Sequence, residues 1–352
     1  MLRWAEVNLD RLLKNYREVE KLSKGKAIFA VVKANAYGHG SVEVARFLQS
    51  RTNVSGFAVA TYGEGAELLL AGIERPILVM SSTVEEGRDF LKEPGLIPVV
   101  YDFKELSLVK ELNVPFHVKV DTGMGRLGFL KEEWGELLSQ LKGSKVKGVM
   151  THFCCAEERR EITEKQLDEF KSFVRELQKL VPEPLVVHAE NSAALSLKLN
   201  SVLTHCRVGL ALYGSRPTPS YPAELEQVME VKAKVLTVKE LPPGYPISYS
   251  ATYTTKGRER VAVIAFGYAD GYPRELSNRG KVLIEGKECP IRGRVCMDML
   301  ITSVPEEVKK GSVATLFGKG LTFEEVAREC RTIPYELMCR ISQRVERVYR
   351  GV

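Results

Sequence analysis

Residues 27–40 read AIFAVVKANAYGHG. Six apolar residues run straight into a lysine, Lys33, and then into a turn containing Asn and Gly. A short continuous apolar run closed by turn residues is the pattern of a strand buried on both faces, as parallel strands are. The residues at 42–48 then carry helical periodicity. Outward from this unit the same alternation recurs. Strands are expected at 56–60, 77–80, 97–101, 116–121, 146–152, 185–190 and 202–207, and helices at 11–22, 62–70, 105–112, 132–141 and 164–180. Eight strands separated by helices predict an α/β fold, a (β/α)8 TIM-like barrel over residues 10–225. A doubly wound open sheet is the alternative, but it needs no eight repeats, and no GxGxxG follows the first strand.

Beyond residue 225 the texture changes. Runs at 231–238, 260–265, 281–284 and 312–317 are short and strand-like, with turns expected at 241–246 and 286–290. They predict a mostly-β domain over 226–352. The opening run at residues 1–9, with its strand at 3–9, is expected to join that domain. The 352 residues are 44% hydrophobic and 27% charged, ordinary values for a globular protein. A net charge of +6, with both signs mixed, makes no nucleic-acid stripe. No run approaches the ~20 apolar residues that span a bilayer. The N-terminus lacks the apolar core of a signal peptide. The seven Cys are scattered apart from the adjacent Cys154 and Cys155, which suits neither a disulfide framework nor a zinc site. The expectation is a cytoplasmic protein with reduced thiols, with no nucleic acid and no membrane as partner.

Barrel chemistry sits at the C-terminal ends of the strands, and several polar residues fall there. Lys33 ends the first predicted strand, where desolvation would lower its pKa and favour imine chemistry. The plain alternative is a solvated strand-end lysine. Tyr37, in the turn, offers a hydroxyl to a phosphate. Gly123 and Gly125 argue for tight backbone before Arg126. Ser192 is expected to open a helix over 192–199, as a phosphate site or as an ordinary cap.

Motifs then follow in sequence order: RWAEVNLDRLLKNY at 3–16, AVVKANAYGHG at 30–40, KVDTGMGRLG at 119–128, VMTHFCCAEE at 149–158, HAENSAA at 188–194, RVGLALYG at 207–214, ISYSATY at 247–253, GYADGYPREL at 267–276, GRVCMDM at 293–299 and IPYELMCRISQRVERVY at 333–349. In order and spacing they resemble alanine racemase, a pyridoxal-phosphate enzyme built from a barrel and a β domain. The resemblance implies two-base interconversion of L- and D-alanine, supplying D-alanine for peptidoglycan. Lys33 would be the Schiff-base lysine and the base on the D face. Tyr249, from the second subunit of a homodimer with shared sites, would act on the L face. Without the family it reads as an ordinary strand tyrosine.

The resemblance implies further roles. Arg126 would hold the substrate carboxylate and the cofactor's phenolic oxygen, a task suited to a planar two-pronged guanidinium. Lys119 is a position often carbamylated to an anion that orients that arginine. His152 would lie against the pyridine ring and link Arg207 to a tyrosine. Arg207 would face the ring nitrogen, where a carboxylate is more usual. Tyr37, Asn191, Ser192, the amides of Gly209 and Leu210, and Tyr335 would hold the phosphate end. Tyr268 would line the entrance, and Met297 would touch substrate from the partner chain. No metal is implied. There are three departures from the pattern: Ser250 for glycine, Glu190 for alanine, and Cys154-Cys155 for a pair of small residues.

The rivals are a related racemase with a broader pocket, a barrel-fold amino-acid decarboxylase, and a non-catalytic pyridoxal-phosphate carrier. A carrier usually lacks a β domain, and a decarboxylase has no need to grip the carboxylate it releases. Alanine is the expected best substrate. In a comparison of L-alanine, L-serine and L-lysine, faster turnover of either larger amino acid overturns that assignment.

Overall fold

The computed structural model describes residues 1–199 and 202–351. Its first strand, β1 (Arg3–Asn8), hands directly to a helix over Leu9–Ser23. The Asn8 side chain caps that helix by accepting from the Arg11 amide at 2.9 Å. Eight parallel strands then close into a barrel: β2 (Ala27–Val31), β3 (Gly56–Val59), β4 (Ile77–Val79), β5 (Leu96–Val100), β6 (Phe116–Lys119), β7 (Val146–Met150), β8 (Val186–His188) and β9 (His205–Val208). Closure comes from β9 pairing with β2, with Ala27 opposite His205 and Phe29 opposite Arg207. Helices over Ser41–Arg51, Tyr62–Leu70, Phe103–Glu111, Trp134–Leu141 and Arg160–Leu180 pack outside. The expected α/β barrel is therefore present.

Its strands are shorter than the sequence suggests. The ladder ends at Val31 rather than Lys33, at Met150 rather than His152, and at His188 rather than Glu190. Apolar side chains continue beyond the last paired residue because the mouth of the barrel is itself buried. Periodicity alone does not separate the two. Lys33 and His152 thus sit two residues past their strands. The helix expected over 192–199 is a correction: only a single 3-10 turn forms, over Ala194–Leu197. Asn191 lies just ahead of it, and its side-chain oxygen accepts from the Ala194 amide at 3.0 Å. So short a turn sums little dipole, and Ser192 neither opens an α-helix nor caps one.

The second domain is a β-sheet. The long strand Met229–Leu241 pairs with β1, with Glu259–Ile264 and with Val313–Phe317, all antiparallel. β1 lies between this strand and the parallel strand Glu346–Arg350, so the chain's first strand sits in the sheet of its last domain. The turn expected at 286–290 is also corrected. Glu285 and Gly286 alone make the turn, both at positive φ, and Lys287–Pro290 is a strand paired back on Lys281–Ile284. Two helices, Phe323–Cys330 and Pro334–Arg340, lead back towards the barrel mouth.

Ion pairs fasten β1 to this domain beyond the ladder: Glu6 with Lys232, 2.7 Å apart, and Arg3 with Asp270. Arg3 Nη1 reaches both oxygens of Asp270, at 2.6 and 2.7 Å, and the Asp270 side chain is fully buried. Asp270 also accepts from the Gly267 amide at 2.9 Å and so shapes the turn that carries Tyr268. Removing Arg3 leaves the buried Asp270 carboxylate with the longer contact to the half-exposed Arg344, 3.4 Å away. Arg3→Ala is expected to lower unfolding stability by ~3 kcal/mol, read as a lower urea midpoint at unchanged slope. An unchanged midpoint would mean that the pair contributes nothing.

Candidate active site

Lys33 opens an unusual turn. Ala34, Asn35, Ala36 and Tyr37 all have φ between 50° and 53°, one turn of left-handed helix made without glycine. Each such residue costs ~1–2 kcal/mol, so the surroundings must impose it. The Ala34 amide donates to Glu64 at 2.7 Å. The Asn35 side chain accepts from the Ser41 amide at 2.9 Å. His39 Nδ1 meets the carbonyls of Ala36 and Tyr37 at 2.9 and 3.0 Å. Burial pulls the His39 pKa down to about 4, so the ring is neutral and Nδ1 carries the donor proton. From the second domain, Arg347 Nε donates to the Gly38 carbonyl at 3.0 Å and Tyr349 Oη to the His39 carbonyl at 3.2 Å. Gly38, at φ 80°, lies against the Met338 carbonyl with no room for a Cβ. Its glycine is required by both conformation and space.

The turn borders a cavity of about 440 Å³ at the barrel mouth, lined by Lys33, Tyr37, Lys119, Arg126, His152, Asn191, Ser192, Arg207, Gly209, Leu210 and Tyr335. Most of the residues singled out from the sequence therefore converge. Three do not. Tyr249 and Met297 line a second cavity of about 350 Å³ with Cys296, Asp298 and Met299, and Tyr268 lines neither. All three are open to solvent in the single chain, at 70%, 53% and 41% exposure.

Arg207 is the most constrained group of the main cavity. Its guanidinium donates to His188 Nδ1 at 2.8 Å, to the His188, Thr151 and Ala189 carbonyls at 2.9 to 3.1 Å, and meets His152 Nδ1 at 3.2 Å. A guanidinium has no lone pair to offer. His188 Nδ1 and His152 Nδ1 must therefore be unprotonated acceptors. It follows that neutral His188 carries its proton on Nε2 and donates it to His117 Nδ1, 2.9 Å away. Burial first, then Arg207, holds His152 down at about 3, and burial holds His117 there as well. Burial also draws Arg207 down to about 10, still charged at neutral pH. Sequence reading missed His117 and His188. Each sits in a barrel strand with no signal beyond residue type.

Arg126 is carried on a loop wrapped around Asp121, a second group the sequence reading passed over. One Asp121 oxygen accepts from the Gly123 and Met124 amides at 2.8 and 2.7 Å, the other from Arg126 at 2.9 Å. Burial works against the Asp121 charge, but these amides outweigh it and hold the carboxyl below its usual range. The two glycines of TGMGR allow that wrap, at φ 124° and 67°. At the opposite wall Ser192 Oγ accepts from the Gly209 and Ala211 amides, each at 3.3 Å. Tyr37 lies so close to Gly209 that a Cβ there would meet its hydroxyl at 2.5 Å. Hydroxyls and amides thus crowd one wall, the donor set a phosphate takes.

Lys33, Lys119, Arg126 and Arg207 face one cavity in which Glu157 is the single lining carboxylate. Lys33 is pushed down, by burial and then by Arg126. Lys119 falls to about 8, by burial, then Arg126 and Arg207. The surplus of positive charge fits a ligand with several anionic groups, and the donor wall fits one of them being a phosphate.

Residues 7–217 match the family described as "Alanine racemase, N-terminal domain", and residues 228–349 match "Alanine racemase, C-terminal domain". The chain belongs to the alanine racemase family. It is accordingly an enzyme of the isomerase class. It is 41% identical to the alanine racemase of Aquifex pyrophilus, over 97% of each chain. Among solved structures, the alanine racemase of Clostridium difficile 630 superposes with a TM-score of 0.93 at 36% identity, over 99% of this chain and 96% of that one. The Bartonella henselae alanine racemase, described as having covalently bound pyridoxal phosphate, gives 0.91 at 28% identity, over 99% and 100%.

The charge surplus has a consequence for this alanine racemase fold that can be measured. The folded pKa of Lys119, about 8, lies below its usual 10.5. Between those values the unfolded chain binds more protons, so stability rises with pH from about 8 towards 10.5. Lys119→Met is therefore expected to stabilise the protein by up to ~3 kcal/mol at pH 6, with the gain vanishing near pH 10.5. Chemical denaturation at the two pH values checks it. A carbamylated side chain, an anion among cations, reverses the sign, and the substitution then destabilises.

Proposed function

We propose that this family member racemises alanine with pyridoxal 5'-phosphate as cofactor, that Lys33 and Tyr249 exchange protons with the two faces of the substrate, and that Tyr249 is delivered by a second copy of the chain. The observation that carries the reading is the convergence of Lys33, Arg126 and Arg207 on one cavity whose wall of hydroxyls and amides suits a phosphate. Lys33 holds its proton less tightly than an ordinary lysine, because burial and then Arg126 press its pKa down. Lys119, pushed down to about 8, is a second such amine in the cavity, and carbamylation of it would leave Lys33 alone in that role. Burial pushes the Tyr37 hydroxyl far up and Tyr335 to about 12, while His152 stays neutral and weakly basic. Racemisation needs proton transfer on both faces of the α-carbon. Tyr249 lies in a separate, solvent-open cavity beside Met297, where it has no part in its own chain's main cavity. A homodimer with shared sites gives it one.

The residues divide the work. Tyr37, Asn191, Ser192, Tyr335 and the amides of Gly209 and Leu210 would hold the cofactor's phosphate, and Lys33 would hold its carbonyl carbon. When bound, the cofactor supplies an electron sink that acidifies the substrate Cα–H. Arg126 grips the substrate carboxylate, which fixes the α-carbon between the two bases. Arg207 presents only N–H donors to the far end of the cofactor. It offers no carboxylate to protonate the ring nitrogen, which favours prompt return of the proton over side reactions. His152 steadies Arg207, and Tyr268 and Met297 of one subunit complete the other's entrance and wall. D-alanine made in the cytoplasm would then be available for peptidoglycan synthesis.

The experiment is a pair of substitutions. Lys33→Ala is expected to lose the visible absorbance of the bound cofactor and all racemisation. Tyr249→Ala is expected to keep the absorbance, to lose α-proton exchange from L-alanine into deuterated water by about 10²-fold or more, and to keep exchange from D-alanine. Equal loss of both exchanges refutes the assignment of faces, and absorbance retained in Lys33→Ala refutes the anchor.

A further inference from the structure

We propose that Cys154 and Cys155 form a dithiol site at the rim of the main cavity that chelates a trivalent thiophilic centre, an organic arsenic(III) compound being the simplest, and that its occupation blocks the cavity. The two sulfurs stand 3.1 Å apart. Both cysteines are half-buried, and Cys154 lines the cavity together with His152 and Arg126.

The backbone on each side is held, so the two side chains leave adjacent points of one fixed segment. The buried Gln166 accepts from the Cys154 amide at 3.0 Å and donates to the His152 carbonyl at 3.1 Å. The Cys155 carbonyl accepts from the Glu158 and Arg159 amides at 3.2 and 2.8 Å, where the helix Arg160–Leu180 begins. The spacing selects the occupant. A disulfide bond needs ~2.05 Å. Two thiolates on a tetrahedral metal, with bonds of ~2.3 Å, lie ~3.8 Å apart. The same bonds meeting near a right angle, as at a pyramidal trivalent p-block atom, bring the sulfurs to ~3.3 Å. No third or fourth ligand of a metal stands by, since no group of three His, Cys, Asp or Glu able to hold an ion occurs among the described residues.

The chemistry closes without an oxidant. An arsonous compound RAs(OH)2 exchanges its two hydroxyls for the two sulfurs. Two As–S bonds form, two As–O bonds break, both thiol protons leave in two waters, and arsenic stays trivalent.

The blocking step rests on the alanine racemase reading; the chelation does not. The test treats cofactor-loaded enzyme with phenylarsine oxide and reads intact mass together with racemisation, each variant's rate being normalised to its own untreated rate. The expected result is one adduct per chain that survives excess monothiol, is removed by 2,3-dimercaptopropanol, and lowers the rate at least tenfold. Cys154→Ser and Cys155→Ser should each lose the monothiol-resistant adduct and the inhibition, while Cys339→Ser keeps both. No such adduct, or an adduct that persists in both single variants, overturns the site. An adduct that leaves the rate unchanged overturns the blocking. A chain that forms the adduct yet racemises nothing counts against the function and for the site.

Discussion

The rest of this structure depends on holding four cationic side chains around one barrel mouth with a single carboxylate among the lining groups. Like charges repel, and the buried ones, Lys119 and Arg207, also lose solvation. The fold meets the cost group by group. Arg207, the deepest, is tied to three carbonyls and two imidazoles. Arg126 sits on a loop coiled around the carboxylate of Asp121. The two lysines yield in a different way, by a lowered proton affinity. That yielding is what turns a structural problem into chemistry, because a lysine that holds its proton less tightly is more readily a base and a nucleophile.

The same constraint sets the states of the histidines. A guanidinium that only donates forces its imidazole neighbours to accept, and their burial keeps them neutral. Charge is thereby confined to the cavity wall, where an anionic ligand relieves it. Lys33 itself is aimed by a left-handed turn that no sequence of L-residues prefers. The second domain holds that turn in place through Met338, Arg347 and Tyr349. The β domain is thus part of the barrel's active centre before any second copy of the chain is considered.

Much of this was legible in the residues. The apolar runs gave all eight barrel strands, and the β-rich texture after residue 225 gave the second domain, because burial leaves a period in the sequence. The expected strands ran past the true ladder at Val31, Met150 and His188. A side chain buried at the barrel mouth looks the same in sequence as one buried in a ladder. Ser192 drew a helix that is a single 3-10 turn. His117 and His188 drew no role, since their partners are 71 and 19 residues away and only folding pairs them, while Asp121 pairs with amides two to five residues on, a local wrap that residue type alone leaves open.

What the sequence by itself determined is therefore the fold class, the family and the residue types at the barrel mouth, all properties written in local patterns and motif order. What only the tertiary structure decided is which of those residues share a cavity. Lys33, Arg126 and Arg207 meet within one chain. Tyr249 and Met297 stand apart from them, exposed beside a second cavity. Distance in space, and with it the proton affinity each group acquires, arises when strands close into a barrel and a domain folds back over its mouth. No spacing along the chain encodes it.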